Sequence, residues 1–284
     1  MSSRLHDRRR GVFAALVAMI GACAANAFPP APNYTIYGFV RDQLGANLVI
    51  EGAEIILLRD TVEIGRAPIF KDLRLDSNYE LNISLDQSLA GTRTYSTKAL
   101  APQGSYSLKV VMNGQTFLPI EANGSLRVGN AGERVRLDLN LGVDSNRDGL
   151  PDAWQEWVLY QAGRRPGTAG WDINLVTKDG DFIGDGISNW VKYLAGTYHG
   201  DVKQRFELRI VTKAGAVVAL EFYGITGKIY SIDESSDLKT WSTIPFATEP
   251  DGATTRLFKA RSVGIQPVYV DATGASRFYR LTVR

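Results

Sequence analysis

One short stretch of the chain combines residue types and spacing that predict metal chemistry. Starting at Asp144, side chains that carry oxygen recur at loop positions 1, 3, 5 and 9, which are Asp144, Asn146, Asp148 and Asp152. Ca²⁺ takes six to eight oxygen ligands, and loops with this spacing direct their side chains at one centre. The sequence therefore predicts a calcium site in residues 144–155.

The rest of this first loop both supports and weakens the prediction. Gly149 at position 6 suits the sharp turn, and position 7 offers the carbonyl of Leu150. Position 12 is Gln155, where a bidentate Glu is expected, and Glu156 comes one residue late, about 100° away on an ideal helix. We expect a weakened site with a dissociation constant on the order of 10⁻⁴–10⁻³ M. The alternative is a solvated turn without metal.

A second loop repeats the pattern less completely. Its candidate ligands are Asp181, Asp185, the carbonyl of Ile187, and Asn189. Ile183 at position 3 and Lys192 at position 12 replace two ligands by an apolar side chain and an ammonium. The default expectation is a turn without metal, in which Lys192 substitutes for the ion by pairing with Asp181 or Asp185. A rearranged loop with Asp179 as a ligand is the alternative.

Two short helices are predicted to position these loops. Pro151 suits the first position of a helix, and apolar residues follow it at helical spacing. A second helix is predicted from Ser188 to about Ala195, with Gly196 as its stop. The tryptophans of these helices favour a small shared core over sugar stacking, and they are Trp154, Trp157 and Trp190.

Alternating apolar residues on both sides of this connector predict β-structure. Residues 34–141 and 202–284 carry period-two runs separated by turn residues, and Asn113-Gly114 predicts a tight hairpin. The predicted fold is mainly β, with two antiparallel β-sandwich domains joined by a short helical module with Asp-rich calcium-type loops. The module covers residues 142–201.

The N-terminus is typical of an export signal. Residues 1–27 contain an arginine-rich start, a fifteen-residue apolar run and an Ala-x-Ala cleavage site, and a Pro-rich lead-in follows at 28–33. Two alternatives are an N-terminal membrane anchor and a lipoprotein acylated at Cys23. The expected location is therefore extracellular, cell-surface or periplasmic.

Composition narrows the classes of function. The 284 residues carry a net charge of +2, which predicts no basic face for nucleic acid, and no later segment is apolar for long enough to cross a membrane. Cleavage after Ala27 leaves no cysteine and His199 as the single histidine. Cysteine nucleophiles and Cys/His zinc sites are thereby excluded from the mature chain, and no Gly-x-Ser-x-Gly elbow is present. A glycosidase that needs only two carboxylates stays open.

Three segments resemble modules of exported bacterial proteins. The opening Tyr-Gly-x-Val-x-Asp-x-x-Gly of residues 37–45 resembles carboxypeptidase-regulatory-like and Cna-B-like β-domains. The loop pair resembles thrombospondin-type-3-like and dockerin-like elements with EF-hand-type loops. Residues 230–241 and 278–281 resemble C-terminal β-sandwiches of poorly characterised role.

These resemblances imply a role outside the cytoplasm. They imply a calcium-binding modular protein that acts as a spacer or adhesive module, with a polysaccharide or another surface protein as partner. The alternatives are a carbohydrate-binding accessory protein of extracellular polysaccharide breakdown and, less favoured, a glycoside-active enzyme.

Overall fold

A computed structural model describes residues 31–70, 76–86, 96–124, 126–197, 204–272 and 277–284. The predicted signal peptide, Cys23, His199 and the start of the lead-in lie outside the described residues. Of the residues that the structure describes, 40% lie in strands and 11% in helices, which confirms a mainly β fold with several sheets. In the described residues, no helix is long and apolar enough to cross a bilayer.

The N-terminal β region follows the predicted alternation of buried and exposed side chains. In Tyr79–Ile83, for example, the first, third and fifth side chains are buried while Asn82 is exposed. The strands are β1 (Tyr34–Gly38), β2 (Val40–Arg41), β3 (Glu54–Arg59), β4 (Val62–Pro68), β5 (Tyr79–Ile83), β6 (Ser105–Met112), β7 (Gln115–Phe117), β8 (Leu126–Arg127), β9 (Arg134–Arg136) and β10 (Leu139–Asn140).

These strands form one larger and two smaller sheets. The larger sheet has the order β4-β3-β6-β7, with β8 also on β6, and the smaller ones are β5-β1-β9 and β10-β2. The predicted hairpin is confirmed: Met112 pairs with Gln115, and Asn113 and Gly114 between them have φ angles of 49° and 75°. One apolar core joins the buried faces, with Phe39 beside it fully buried.

The expectation of purely antiparallel pairing is wrong in this region. β9 runs parallel to β1, and β10 runs parallel to β2. The described chain passes through seven other strands before it returns beside β1, and such a long connection permits parallel pairing. The apolar alternation from Val135 to Leu141 is also divided between two strands. Asp138 separates the halves, because its carboxylate, rather than a main-chain carbonyl, accepts the N–H of Phe39 at 3.0 Å.

The connector folds around its own small core. Helix α1 (Asp152–Gln161) and helix α2 (Asn189–Ala195) flank a short 3₁₀ turn at Ile173–Leu175. Trp154 and Tyr193 are buried in this core, and Trp157 and Trp190 pack against it, so the prediction that the tryptophans form the core is confirmed. Gly196 ends α2 in a left-handed conformation (φ 66°), as predicted.

The C-terminal β region contains two further sheets with a core of their own. Their strands are β11 (Arg209–Ala214), β12 (Val217–Gly224), β13 (Ile229–Ser235), β14 (Ser242–Ile244), β15 (Phe258–Lys259), β16 (Gly264–Asp271) and β17 (Phe278–Val283). The sheet orders are β11-β12-β16 and β14-β13-β15, with β17 also on β13. All pairings between these strands are antiparallel. Phe222, Tyr230 and Phe246 supply the largest buried side chains between them.

Candidate metal centre

The first loop closes through hydrogen bonds from its own main chain to its acidic side chains. The N–H of Gly149 donates to Oδ2 of Asp144 at 3.0 Å, and the N–H of Leu150 donates to Oδ1 of Asp148 at 2.9 Å. Oxygens of both Asp144 and Asn146 also accept from the N–H of Asp148. The side-chain oxygens of positions 1, 3 and 5 therefore converge on one turn, as the sequence predicts.

Asp152 closes the loop from the other end. Its Oδ1 accepts the N–H of Ser145 at 2.9 Å. Asp152 is the first residue of α1, where a negative charge is favourable beside the unpaired N–H groups. Position 9 thus joins the start of the helix to the start of the loop.

The second loop has the same internal hydrogen bonds. The N–H of Gly186 donates to Oδ2 of Asp181 at 2.6 Å, and the N–H of Ile187 donates to Oδ1 of Asp185 at 3.1 Å. The N–H of Phe182 reaches the side-chain oxygen of Asn189 at 3.4 Å, as Ser145 reaches Asp152. The bonds from position 6 to 1, from 7 to 5 and from 2 to 9 therefore recur in both loops.

The glycines at position 6 share a backbone conformation. Gly149 has a φ of 87° and Gly186 a φ of 85°, which is the left-handed region that favours glycine. A Cβ at Gly149 would also approach the ammonium of Lys178 to 3.0 Å. Both loops are thus built on the same turn, and their chemical difference lies in the side chains.

Position 12 is where the loops differ most. In the second loop it is Lys192, whose side chain is 4% exposed and whose ammonium lies 2.9 Å from Asp181 and 2.6 Å from Asp185. The prediction that Lys192 pairs with these carboxylates is confirmed. A positive charge of the protein itself therefore contacts the carboxylates of positions 1 and 5.

In the first loop, position 12 is Gln155, which is fully buried. Its Nε2 donates to Oδ2 of Asp148 at 3.0 Å and to the carbonyl of Val176 at 2.9 Å. Its Oε1 is buried and has no hydrogen-bond partner among the described residues. An unpaired buried oxygen costs free energy, so this amide lies beside the loop with unused capacity to accept.

No basic side chain among the described residues pairs directly with the carboxylates of the first loop. Over the part of the chain that the structure describes, no Lys, Arg or His forms an ion pair with Asp144, Asp148 or Asp152. Three carboxylates therefore share one turn, and main-chain N–H groups and the Gln155 amide are their hydrogen-bonding partners. The second loop carries two carboxylates and one buried ammonium.

One aspartate in each loop has a shifted pKa, and the shifts of Asp148 and Asp181 have opposite directions. Burial raises the pKa of Asp148, and the negative charge of Asp144 adds to the rise against the hydrogen bond from Leu150. Burial also acts to raise the pKa of Asp181, but hydrogen bonds from Lys192 and Gly186 outweigh it and hold that pKa well below its ordinary value. The charge of Asp144 therefore disfavours the ionised form of Asp148, whereas Asp181 is stabilised as an anion.

The segment after the 3₁₀ turn lies between the loops and contacts both. The N–H of Lys178 donates to Oδ2 of Asp148 at 3.2 Å, and its carbonyl accepts the N–H of Trp190 at 2.9 Å. The ammonium of Lys178 lies over the ring of Trp190, 4.1 Å from its centroid. Thr177 accepts from the Asn189 amide at 2.7 Å. The backbone of Thr177 and Lys178 therefore links the two loops, and no sequence pattern predicted this link.

Helix α2 also ties the connector to the N-terminal β region. The hydroxyl of Tyr193 lies 3.0 Å from the carbonyl of Asp42 and 3.1 Å from the side-chain oxygen of Asn140. The Asn140 amide donates in turn to Glu121 at 2.6 Å, and burial raises the pKa of that carboxyl. No sequence signal predicted these contacts, because they join residues far apart in the chain.

Within the described ranges, no three His, Cys, Asp or Glu side chains form a group that could hold a metal ion. The convergent atoms of the first loop are instead of mixed type, since an Asn side chain and a Gln side chain accompany the carboxylates. Comparison with protein-family models, with curated proteins and with solved structures gave no match.

Proposed function

We propose that the first loop binds one Ca²⁺ ion, and that this ion stabilises the connector of an exported, modular protein. The observation that carries the proposal is the contrast at position 12. Three hydrogen bonds recur in the two loops, yet the second loop contains a buried ammonium among its carboxylates, whereas no basic side chain of the described residues pairs with those of the first. A cation from solution would balance the first loop as Lys192 balances the second.

The chemistry of the first loop favours calcium over softer metals. Its candidate ligands are oxygens: the side chains of Asp144, Asn146, Asp148 and Asp152, the carbonyl of Leu150, and Oε1 of Gln155. Oxygen ligands in a flexible loop suit Ca²⁺, whereas Zn²⁺ prefers Cys and His. Without a Glu at position 12, the affinity falls in the class of extracellular modules.

A structural role fits this placement better than a sensing role. The second loop carries its own cation, so half of the connector is stabilised whatever the calcium concentration. Tyr193 and the core around Trp154 hold the same module in place. Ca²⁺ in the first loop would therefore stiffen an already folded link between two predicted β-sandwiches. Such a link is the expected property of a spacer or adhesive module that contacts a polysaccharide or another surface protein.

Thermal melts with and without calcium test the proposal. At about 5 mM Ca²⁺, a site of this class stabilises the folded chain by about 1–2 kcal/mol. For a chain of this size we expect the melting temperature to rise by about 3–6 °C relative to EGTA. Isothermal titration is expected to give one ion per chain, because Lys192 occupies the second loop.

Matched variants identify the loop. Asp144→Asn and Asp148→Asn should each abolish the calcium-dependent rise. Asp60→Asn should keep it, because Asp60 is an exposed turn residue whose positive φ (55°) Asn also tolerates. No rise in the wild-type protein, or a rise that persists in both loop variants, would overturn the proposal.

Export is tested separately at the N-terminus. We expect the protein recovered from outside the cytoplasm to begin at Phe28, following cleavage after Ala27. Mass spectrometry of the N-terminal peptide measures this directly. A chain that begins with a lipid-modified Cys23, or one that retains residues 1–27, would contradict it.

A further inference from the structure

A large cleft lies away from the aspartate loops, where the N-terminal β region faces the C-terminal one. Its volume is about 1240 Å³. One wall is formed by residues 44–49 and the other by residues 225–228 and 257–261. Ligand pockets usually measure about 300–1,000 Å³, so the cleft is large enough for a ligand of several rings.

A buried lysine forms part of the cleft wall. Lys228 is 4% exposed, and its ammonium donates to the carbonyl of Gly45 at 2.5 Å. Among the residues with described positions, no carboxylate lies within ion-pair distance of it. An ammonium carries three N–H donors, so Lys228 retains capacity for an anionic partner.

Asn47 lines the same cleft, and its unsatisfied amide lies beneath the surface of that lining. Both Nδ2 and Oδ1 of Asn47 are buried, and neither has a hydrogen-bond partner in the described part of the chain. Buried polar atoms are nearly always paired in folded proteins. A group that both donates and accepts complements a hydroxyl, which also does both. Thr226 and Thr248 add two further hydroxyl-bearing side chains to the lining.

The charges around the cleft favour an anion. Lys228, Lys259 and Arg261 line it, against one acidic residue, Glu249. Behind the lining, Arg41 is fully buried; its Nη2 pairs with Asp138 at 3.0 Å, and its Nε and Nη1 have no partner within the described residues. Burial and the positive charge of Arg41 lower the pKa of Lys228 to about 7, against a smaller opposite effect of Asp42. A negative group in the cleft would relieve that repulsion.

We propose that this cleft binds an acidic oligosaccharide, with the carboxylate of a uronic acid on Lys228 and ring hydroxyls on the Asn47 amide, which a rotation of that side chain exposes to the cleft. The apolar lining of Ile225, Leu257 and Phe258 offers surface for the C–H face of a sugar ring. The site shares no residue with the aspartate loops, so it does not depend on calcium binding there. It deepens the expected polysaccharide contact by naming the surface and the charge of the sugar.

Calorimetry with trigalacturonate as the probe tests the site. The titration is done in EGTA and without phosphate, so that calcium bridging and competing anions make no contribution. Maltotriose serves as the neutral sugar and inorganic phosphate as the anion that is not a sugar. We expect trigalacturonate to bind at least tenfold more tightly than either control.

Variants then assign the binding to the cleft. Lys228→Met keeps the length of the side chain without its charge, and Asn47→Leu removes the amide. Each should weaken trigalacturonate binding at least tenfold, whereas Lys213→Met, on the exposed strand β11, should leave it unchanged. Thermal melts establish that each variant is folded before its binding is measured.

Four results would overturn the proposal. They are the absence of trigalacturonate binding, equal binding of maltotriose, equal binding of phosphate, and unchanged affinity in folded Lys228→Met. Because EGTA is present throughout, none of these results bears on the calcium proposal. If the melting temperature depends on calcium but no sugar binds, the calcium proposal stands and the cleft proposal fails.

Discussion

The ammonium of Lys192 lies 2.6 Å from Oδ1 of Asp185, with Asp181 on its other side at 2.9 Å. These are positions 12, 5 and 1 of the second loop, and three of its internal hydrogen bonds recur in the first loop. A covalently attached cation thus takes the place that a bound cation holds in loops of the calcium-binding type. Under the proposed function, the two loops of one small module would depend on different sources of positive charge.

Replacing Lys192 by methionine should destabilise the connector. The substitution leaves Asp181 and Asp185 without their buried partner. Breaking a buried ion pair costs about 3–5 kcal/mol. Because each aspartate side chain is about a quarter exposed, we expect about 2 kcal/mol, measured by urea unfolding. Lys213→Met is the exposed control, and equal stability of the two variants would contradict the assigned role of Lys192.

Changing Gln155 to glutamate should have opposite effects with and without calcium. A carboxylate at position 12 can bind the ion through two oxygens, so we expect calcium affinity to rise about tenfold or more. In EGTA the same carboxylate is buried beside Asp148 and should lower the melting temperature. Glu156→Gln, at the exposed neighbouring position, is the control. Identical calcium titrations for Gln155→Glu and wild type would show that position 12 does not face the ion.

The burial of Lys228 should appear in the pH dependence of stability. Its pKa is lowered from 10.5 to about 7 in the folded chain, so the unfolded chain binds more protons between these values. Stability should therefore increase with pH across that window, and the full cost of the buried charge should be present below about pH 7. Lys228→Met should be more stable than wild type at pH 6, and this difference should shrink by about 1 kcal/mol per pH unit above pH 7.

The measurement is a series of urea titrations from pH 6 to pH 10, with Lys213→Met as the control. Groups that titrate equally in both proteins cancel in the difference. Arg41 and Asp42 are the charged groups that act on Lys228, and both are unchanged in the variant. A difference in stability that is constant with pH would contradict the lowered pKa.

Replacing Gly45 by alanine should disrupt the contact between α2 and the N-terminal β region. Gly45 has a φ of 86°, and a Cβ there would collide with the carbonyl of Tyr193 and lie 3.1 Å from its ring. Gly52→Ala is the matched control, because its φ of 75° imposes the same strain but nothing lies within 4 Å. We expect Gly52→Ala to cost about 1 kcal/mol and Gly45→Ala at least twice that. Equal losses of stability in the two variants would show that Tyr193 does not lie close to Gly45.

Local signals in the sequence predicted most of the local structure. Asn113-Gly114 fixed a hairpin because both residues tolerate positive φ, and Ser188 and Gly196 bounded α2 as its caps. The pairing of Lys192 followed from its loop position and charge alone. In each case the determining contacts lie within about a dozen residues.

What the sequence did not predict depends on contacts between distant residues. Asp138 divides the last strand of the N-terminal region because its carboxylate accepts from Phe39, almost one hundred residues earlier. The parallel pairing of β9 with β1 has the same origin, since periodicity carries no information about strand direction. The buried Lys228 gave no signal in the sequence, because its environment is formed by Gly45 and Arg41, which are distant in the chain.

The Tyr193 contacts have a mechanical consequence. The chain leaves β10 at Asn140, passes through both loops and returns at Tyr193 to the same asparagine. A pulling force on the two ends of the protein would act on this contact and on the contact between Lys228 and Gly45. It would not act on the chain between Asn140 and Tyr193. Those roughly 50 residues extend by up to about 170 Å only once the contacts break and the connector unfolds from its own core. Such a protein would extend in steps under a pulling force, and the two β regions would stay joined after the first step.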